Sequence, residues 1–336
     1  MQCKLHQFSG ELRLMKNIIV TLTRHWPADI EQAFNEIFTA RLNPEDKLLN
    51  PDEIIERCED AMVLCPTVAD VIDRYLIDRL PASIRLIANY GAGVERIDVA
   101  AANARGILVS NTPGVVVDDT ADLTFGLIIS ASRRFSEGES LLRQGLWDKF
   151  SLNFMLGSSV HGKTLAIVGM GDIGTAVARR ARGFNMHIIY HNRHRNQAVE
   201  DELGAVYCER LETLLRQADI VSLHCPLTPE THHLINSNTL RLMKGKAILI
   251  NTARGPVVDE TALIEALSGG IIAAAGLDVF EYEPRIAAEL RNLKNTVLVP
   301  HLGTATHEAR YAMGQRVIAN IVSYIKTGKV INEAKG

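Results

Sequence analysis

Thr164-Leu-Ala-Ile-Val168 runs directly into Gly169-Met170-Gly171-Asp172-Ile173-Gly174, and helix is expected from Ile173 to Phe184. Five consecutive mostly apolar residues read as a strand buried on both faces, and the glycines that follow carry the spacing G-x-G-x-x-G. Alone that spacing is weak, because loops collect glycine. Here a strand precedes it and a helix follows, within one βαβ unit, which is the context a dinucleotide requires. Gly169 permits the tight turn, Gly171 admits the pyrophosphate to the backbone, and Gly174 lets helix and strand pack closely. The peptides of Met170, Asp172 and Ile173 complete the loop, and the helix start offers unpaired N–H groups and a partial positive charge. A packing turn without ligand is the competing reading.

The same alternation of short apolar runs and helical patterns extends in both directions, as expected for parallel sheets with crossover helices. Upstream, strands are expected at 17–22, 61–65, 86–89 and 108–110. Downstream they are expected at 187–190, 220–224, 247–251, 273–279 and 297–300, followed by a long helix over about 306–326. Asn111-Thr-Pro-Gly114 is a turn-rich break before one long helical stretch, Thr120–Gln144, and a second crossing is expected near Pro300. Two α/β domains follow: residues 15–114 with 300–336, and residues 115–299. Residues 1–14 precede Met15-Lys16 and read as an upstream extension.

Composition narrows the function. Hydrophobic residues make up 47% and charged residues 22% of 336, which argues against a disordered chain. Lys and Arg total 36 against 39 Asp and Glu, a net charge of −3, so no global positive field favours nucleic acid or an anionic membrane. The apolar runs Leu123–Ala131 and Gly269–Leu277 fall well short of the roughly 20 residues that a spanning helix needs. The first residues lack the apolar stretch of a secretory signal. The 5 cysteines include no Cys-x-x-Cys pair. They read as free thiols in a reducing cytoplasm, with Cys225 a buried thiol rather than a nucleophile. His187, His191 and His194 have tempting separations for a metal, but no Cys or acid completes a site and none is expected. His232-His233 receives no role.

The end of the second strand decides the cofactor. An NAD site places Asp or Glu about 20 residues past the glycine loop, to bond the ribose 2′-hydroxyl. Here the chain reads Tyr190-His191-Asn192-Arg193-His194-Arg195, with His191 where that acid would stand. Guanidinium groups pair with a 2′-phosphate that a carboxylate would repel. NADP(H) is therefore expected over NAD(H), held by Asn192, Arg193 and Arg195; a solvated basic loop is the plain alternative.

Three more loops follow strands of the same sheet. Arg254 ends Asn251-Thr-Ala-Arg254-Gly255; Asp278 and Glu283 lie in Leu277-Asp-Val-Phe-Glu-Tyr-Glu283-Pro284; His301 opens His301-Leu-Gly303. A cation, carboxylates and an imidazole are thus expected at the carboxyl edge, where open α/β sheets bind ligands.

With these segments in view, the chain resembles the D-isomer-specific 2-hydroxyacid dehydrogenases from Met15 to Lys335. Tyr90-Gly-Ala92-Gly93, Asn111-Thr-Pro-Gly114, Thr120-Ala-Asp, His224-Cys-Pro-Leu227 and His301-Leu-Gly-Thr-Ala-Thr306 add to the motifs above. The basic loop and the last motif are most similar to the glyoxylate/hydroxypyruvate reductase and 2-ketogluconate reductase branch. The resemblance implies two doubly wound parallel-sheet domains, a Rossmann cofactor domain and a flavodoxin-like substrate domain, with a cleft between them. It implies reduction of a small 2-oxo acid with Arg254, Glu283 and His301 as the catalytic trio. Ala92, Gly93, Arg254 and His301 would hold substrate. Asp278, Thr120, Cys225, Pro226, Thr231 and Thr252 would lie along the cofactor, and cofactor domains would pair into a homodimer. Glu95 replaces the family's usual Asp. A dinucleotide-binding regulator similar to the family's corepressors, and an NAD-dependent phosphoglycerate-type dehydrogenase, are the rival expectations.

Overall fold

The structure is a computed structural model that describes residues 15–334. It divides into two compact units: the chain through Val116 together with the segment from Thr306 onward, and Val117–Ala305. Residues 300–305, His301 among them, therefore fall with the second unit.

The first unit is built on five parallel strands, β1 (Ile19–Leu22), β2 (Thr39–Arg41), β3 (Val63–Cys65), β4 (Leu86–Ala88) and β5 (Leu108–Ser110), in the order β2-β1-β3-β4-β5. That is the flavodoxin-like doubly wound order. Ile30, Phe34 and Ile321 cover one face, and Leu76, Ile77 and Ala102 the other. β2 is absent from the sequence reading. Its Thr-Ala-Arg has no apolar run, and its pairing with β1 makes it a strand. The helix Pro51–Arg57 begins on a capping box: Asn50 accepts from Glu53 N while Glu53 accepts from Asn50 N. The closing helix, His307–Thr327, is capped by Thr306, which accepts from Ala309 N at 3.0 Å, and it ends at Gly328.

The second unit holds seven parallel strands: β6 (Thr164–Val168), β7 (His187–His191), β8 (Val206–Tyr207), β9 (Ile220–Leu223), β10 (Ile248–Asn251), β11 (Ala274–Leu277) and β12 (Thr296–Leu298). Their order is β12-β11-β10-β9-β6-β7-β8. Strand order reverses between β6 and β9, which places the glycine loop at the topological switch point. β8, two residues long, is another edge strand the sequence reading omits.

The expected continuous helix Thr120–Gln144 is a correction. The chain makes two helices, Val117–Ser132 and Phe135–Arg143, parted at Arg134, whose φ is +57°. The left-handed residue ends the first helix, and its guanidinium then pairs with Glu137 across the new first turn through two bonds of 2.9 Å. No helix is long and apolar enough to cross a membrane among the described residues.

Candidate active site

The glycine loop is shaped by contacts that exclude a side chain. Gly169 has φ +98°, and a Cβ there would stand 2.5 Å from Cys225 N. A Cβ on Gly174 would stand 2.2 Å from Gly169 O, so helix Asp172–Arg182 packs on its own loop only with glycine at that place. Around Gly171, by contrast, nothing lies within 4 Å of such an atom. A crowded turn beside an open approach at a helix start fits a pyrophosphate.

The basic loop after β7 is more tied down than its sequence suggests. Asn192 Oδ1 accepts from Met170 N at 2.7 Å, locking this loop to the glycine loop. His191 Nδ1 lies 2.9 Å from Cys208 O. Arg195 makes a bidentate pair with Glu200, which also accepts from the Tyr190 hydroxyl at 2.7 Å. Arg193 is exposed, and its charge helps lower the carboxyl of Glu230 after the Thr228 and backbone hydrogen bonds.

The loops after β10, β11 and β12 bring the trio together. Asn251 folds the first of them: its amide donates to Arg254 O at 2.9 Å and its carbonyl accepts from Ala253 N at 3.0 Å. Glu283 Oε1 accepts from Phe280 N at 2.9 Å, and Oε2 lies 2.9 Å from His301 Nδ1. Burial resists the charge on Glu283. The His301 hydrogen bond and charge, the Phe280 N–H and the Arg254 charge outweigh it, and the carboxyl is held below its ordinary value. Arg254 thus acts electrostatically on the carboxylate that His301 touches. His301 has φ +54°, a conformation that costs a non-glycine residue on the order of 1–3 kcal/mol and persists only where neighbours impose it.

Asp278 is what imposes it. Its backbone oxygen accepts from His301 N at 2.9 Å, one carboxylate oxygen accepts from Leu302 N, and the other accepts from Gly303 N at 2.9 Å. Burial pushes the Asp278 carboxyl up, against those N–H groups and the His301 charge. Thr120 donates to Gly303 O at 3.1 Å, and Thr124 bridges from Thr120 O to the Thr252 hydroxyl at 2.9 Å. Thr120, Thr252 and Asp278 therefore form one hydrogen-bonded frame under the His301 turn.

After β9, Thr231 donates to Pro226 O at 2.6 Å and accepts from Thr228 N at 2.7 Å, closing that loop. Burial pushes the Cys225 thiol up to about 11, so it is not a thiolate near neutrality. Burial likewise pushes His224 down to about 3 and keeps it neutral. Cys58, Cys65, Cys208 and Cys225 are free and buried; Cys3 lies outside the described residues. Ala92 and Gly93 belong to the first unit, on the loop after β4, where Asn111 donates to Ala92 O at 2.6 Å and Asn89 to Gly93 O at 2.8 Å.

The structure also gathers a group that the sequence reading passes over. His233 Nε2 lies 2.8 Å from Glu281 Oε1, and the His232 ring stacks on His233 with centroids 4.0 Å apart. Glu281 is distant in sequence, so only the adjacency of the loops after β9 and β11 reveals the set.

A carboxylate-oriented imidazole, a fixed cation and a dinucleotide cradle on one sheet edge suit hydride transfer at a carbonyl carbon. Comparison with known proteins agrees. Residues 125–303 match the family model for the D-isomer specific 2-hydroxyacid dehydrogenase NAD binding domain. The chain is 45% identical to a glyoxylate reductase of Thermococcus litoralis over 311 residues, 91% of this chain and 93% of that one. A crystal structure of a glyoxylate reductase from Paecilomyes thermophila matches with TM-score 0.85 at 36% identity, covering 95% of this chain and 99% of that one. An NADPH-dependent glyoxylate/hydroxypyruvate reductase from Sinorhizobium meliloti, solved with NADP and malonate, matches with TM-score 0.84 at 31% identity, covering 95% and 97%. The chain belongs to the D-isomer-specific 2-hydroxyacid dehydrogenases, oxidoreductases that work with a nicotinamide dinucleotide.

Proposed function

We propose that the protein reduces a small 2-oxo acid, glyoxylate or hydroxypyruvate in the first place and 2-ketogluconate as a further candidate, to the 2-hydroxy acid with NADPH. The carrying observation is the 2.9 Å contact between His301 Nδ1 and Glu283, whose carboxylate also feels Arg254. With Nδ1 committed to Glu283, Nε2 is the nitrogen that exchanges a proton with the substrate oxygen. Arg254 holds the substrate carboxylate and polarises the 2-oxo group, and Glu283 favours the protonated imidazole. A reduced nicotinamide held by the glycine loop would supply the hydride for C2, and His301 would give the proton to the carbonyl oxygen. Asp278 keeps the His301 turn in place and is the residue assigned to the cofactor carboxamide.

For the 2′-phosphate, Arg193 is the first candidate, because the charge of Arg195 is paired with Glu200; Asn192, whose Oδ1 is taken by Met170 N, would donate from its amide nitrogen. Residues 117–305 act as the NADP domain, and residues 15–116 with 306–334 as the substrate domain. The free thiols suit the cytoplasm. A homodimer through the cofactor domain is favoured by an exposed apolar run: Leu146, Phe150, Leu152 and Leu156 are 61%, 81%, 83% and 67% exposed. Light scattering of Leu152→Glu checks the pairing, a monomer being the expected result and an unchanged dimer the contrary one. A panel of 2-oxo acids with NADPH and NADH tests the reaction. Turnover highest with glyoxylate or hydroxypyruvate and NADPH is expected; binding of NADPH without oxidation by any member sinks the reading.

A further inference from the structure

We propose that His232, His233 and Glu281 form a binding site for a late first-row divalent cation, zinc above all, at the carboxyl edge of the second sheet. The donor atoms of the three side chains lie within 4.8 Å of one another. Tetrahedral zinc, with bonds of about 2.0–2.1 Å, needs donors roughly 3.4 Å apart. His233 Nε2 and Glu281 Oε1, at 2.8 Å, are already closer than that, so the ion enters by replacing their shared hydrogen bond. His232 is exposed, its ring stacked on that of His233, and the ion would draw its nitrogen in.

Two of the three ligands are held before any ion arrives. His233 N donates to Pro256 O at 2.8 Å, and Asn236 donates to His233 O at 2.9 Å, fixing a backbone with φ +51°. Glu281 Oε2 accepts from Glu260 N at 3.1 Å, and Glu281 N donates to Glu260 at 3.2 Å. This leaves Oε1 turned to the imidazole, the second-layer bracing that metal ligands characteristically have. Glu281 is only 11% exposed and His233 35%. Glu260, whose carboxylate accepts from Glu281 N, adds negative charge beside the set. Two imidazoles and one carboxylate select zinc, cobalt, nickel or copper over magnesium and calcium, which demand more oxygen ligands. Water completes the coordination.

None of its three ligands belongs to the reductase trio, and its test reads metal rather than turnover. Chelator-treated full-length protein is titrated with zinc chloride by calorimetry, and melting is followed with and without zinc. One zinc per chain is expected, with a higher Tm in zinc. His232→Ala and Glu281→Gln should each weaken binding at least about tenfold and abolish the Tm rise. Glu281→Gln keeps the acceptor for Glu260 N, and His232 is exposed, so His232→Ala decides if Glu281→Gln fails to fold. A wild type that binds no zinc, or a His232→Ala variant that binds it as the wild type does, overturns the proposal whatever the protein's activity on 2-oxo acids.

Discussion

Exchanging Glu283 for Gln removes one negative charge while keeping the side chain's shape and an acceptor oxygen. In the wild type the two carboxylate oxygens bind Phe280 N and His301 Nδ1, each at 2.9 Å. A hydrogen bond to a charged group is worth about 1.5–3 kcal/mol against about 1 for a neutral one. The charge itself therefore contributes roughly 0.5–2 kcal/mol. The Glu283 and His301 side chains are 28% and 38% exposed, so solvent screening favours the lower end. That energy stabilises the protonated imidazole, the acid that reduction consumes. At about 1.36 kcal/mol per factor of ten, kcat for 2-oxo acid reduction should fall about two- to thirtyfold, toward the smaller figure. The acid side gives a second readout. The Glu283 carboxyl is held below its ordinary value, so its stabilising contribution is complete above that ordinary value and is lost as pH falls through the depressed one. Glu283→Gln should therefore lose less Tm than the wild type on acidification through that window. Steady-state kinetics, NADPH binding by fluorescence and melts at neutral and acid pH make the measurement. A folded variant whose kcat and acid-side Tm loss both match the wild type's refutes the coupling.

Other perturbations follow from the same geometry. Gly169→Ala meets both a φ of +98° and a backbone nitrogen 2.5 Å from the new Cβ; a loss of about 2–4 kcal/mol is expected in chemical denaturation, and an unchanged midpoint would show that the loop yields freely. Arg193→Ala should raise KM for NADPH roughly tenfold and leave KM for NADH alone, whereas equal changes with both cofactors remove the phosphate assignment. Arg254→Gln should lower kcat/KM on the order of 10²–10³-fold with folding intact, as loss of an oxyanion-type donor does, and near-normal kcat/KM would show that its role is misassigned.

Features written in local sequence were the ones that sequence alone could deliver. The glycine spacing is dictated by the turn and by the approach of β6 to its helix, and each trio member sits just past a recognisable buried strand. Edge strands escaped because their residues carry little apolar signal: β2 and β8 exist through pairing with β1 and β7. The break at Arg134 was invisible because Ser132-Arg133-Arg134-Phe135 contains neither Gly nor Pro; the left-handed residue is stabilised by its own ion pair with Glu137. The basic loop was legible as charge but not as partners. Glu200, which claims Arg195, comes from the following helix, and the Asn192 side-chain oxygen accepts from the glycine loop. The His232, His233 and Glu281 set required the sheet order, which brings the β9 and β11 loops to one edge.

The central claim is that His301, oriented by Glu283, protonates the carbonyl oxygen as hydride arrives at the adjacent carbon. Single-turnover oxidation of NADPH by glyoxylate, compared between the wild type and His301→Asn, bears on it most directly. A general acid of this kind contributes about 10²–10⁴-fold, so the variant's rate should fall by that factor while its NADPH affinity stays unchanged. A His301→Asn enzyme that turns over at a rate close to the wild type would contradict it.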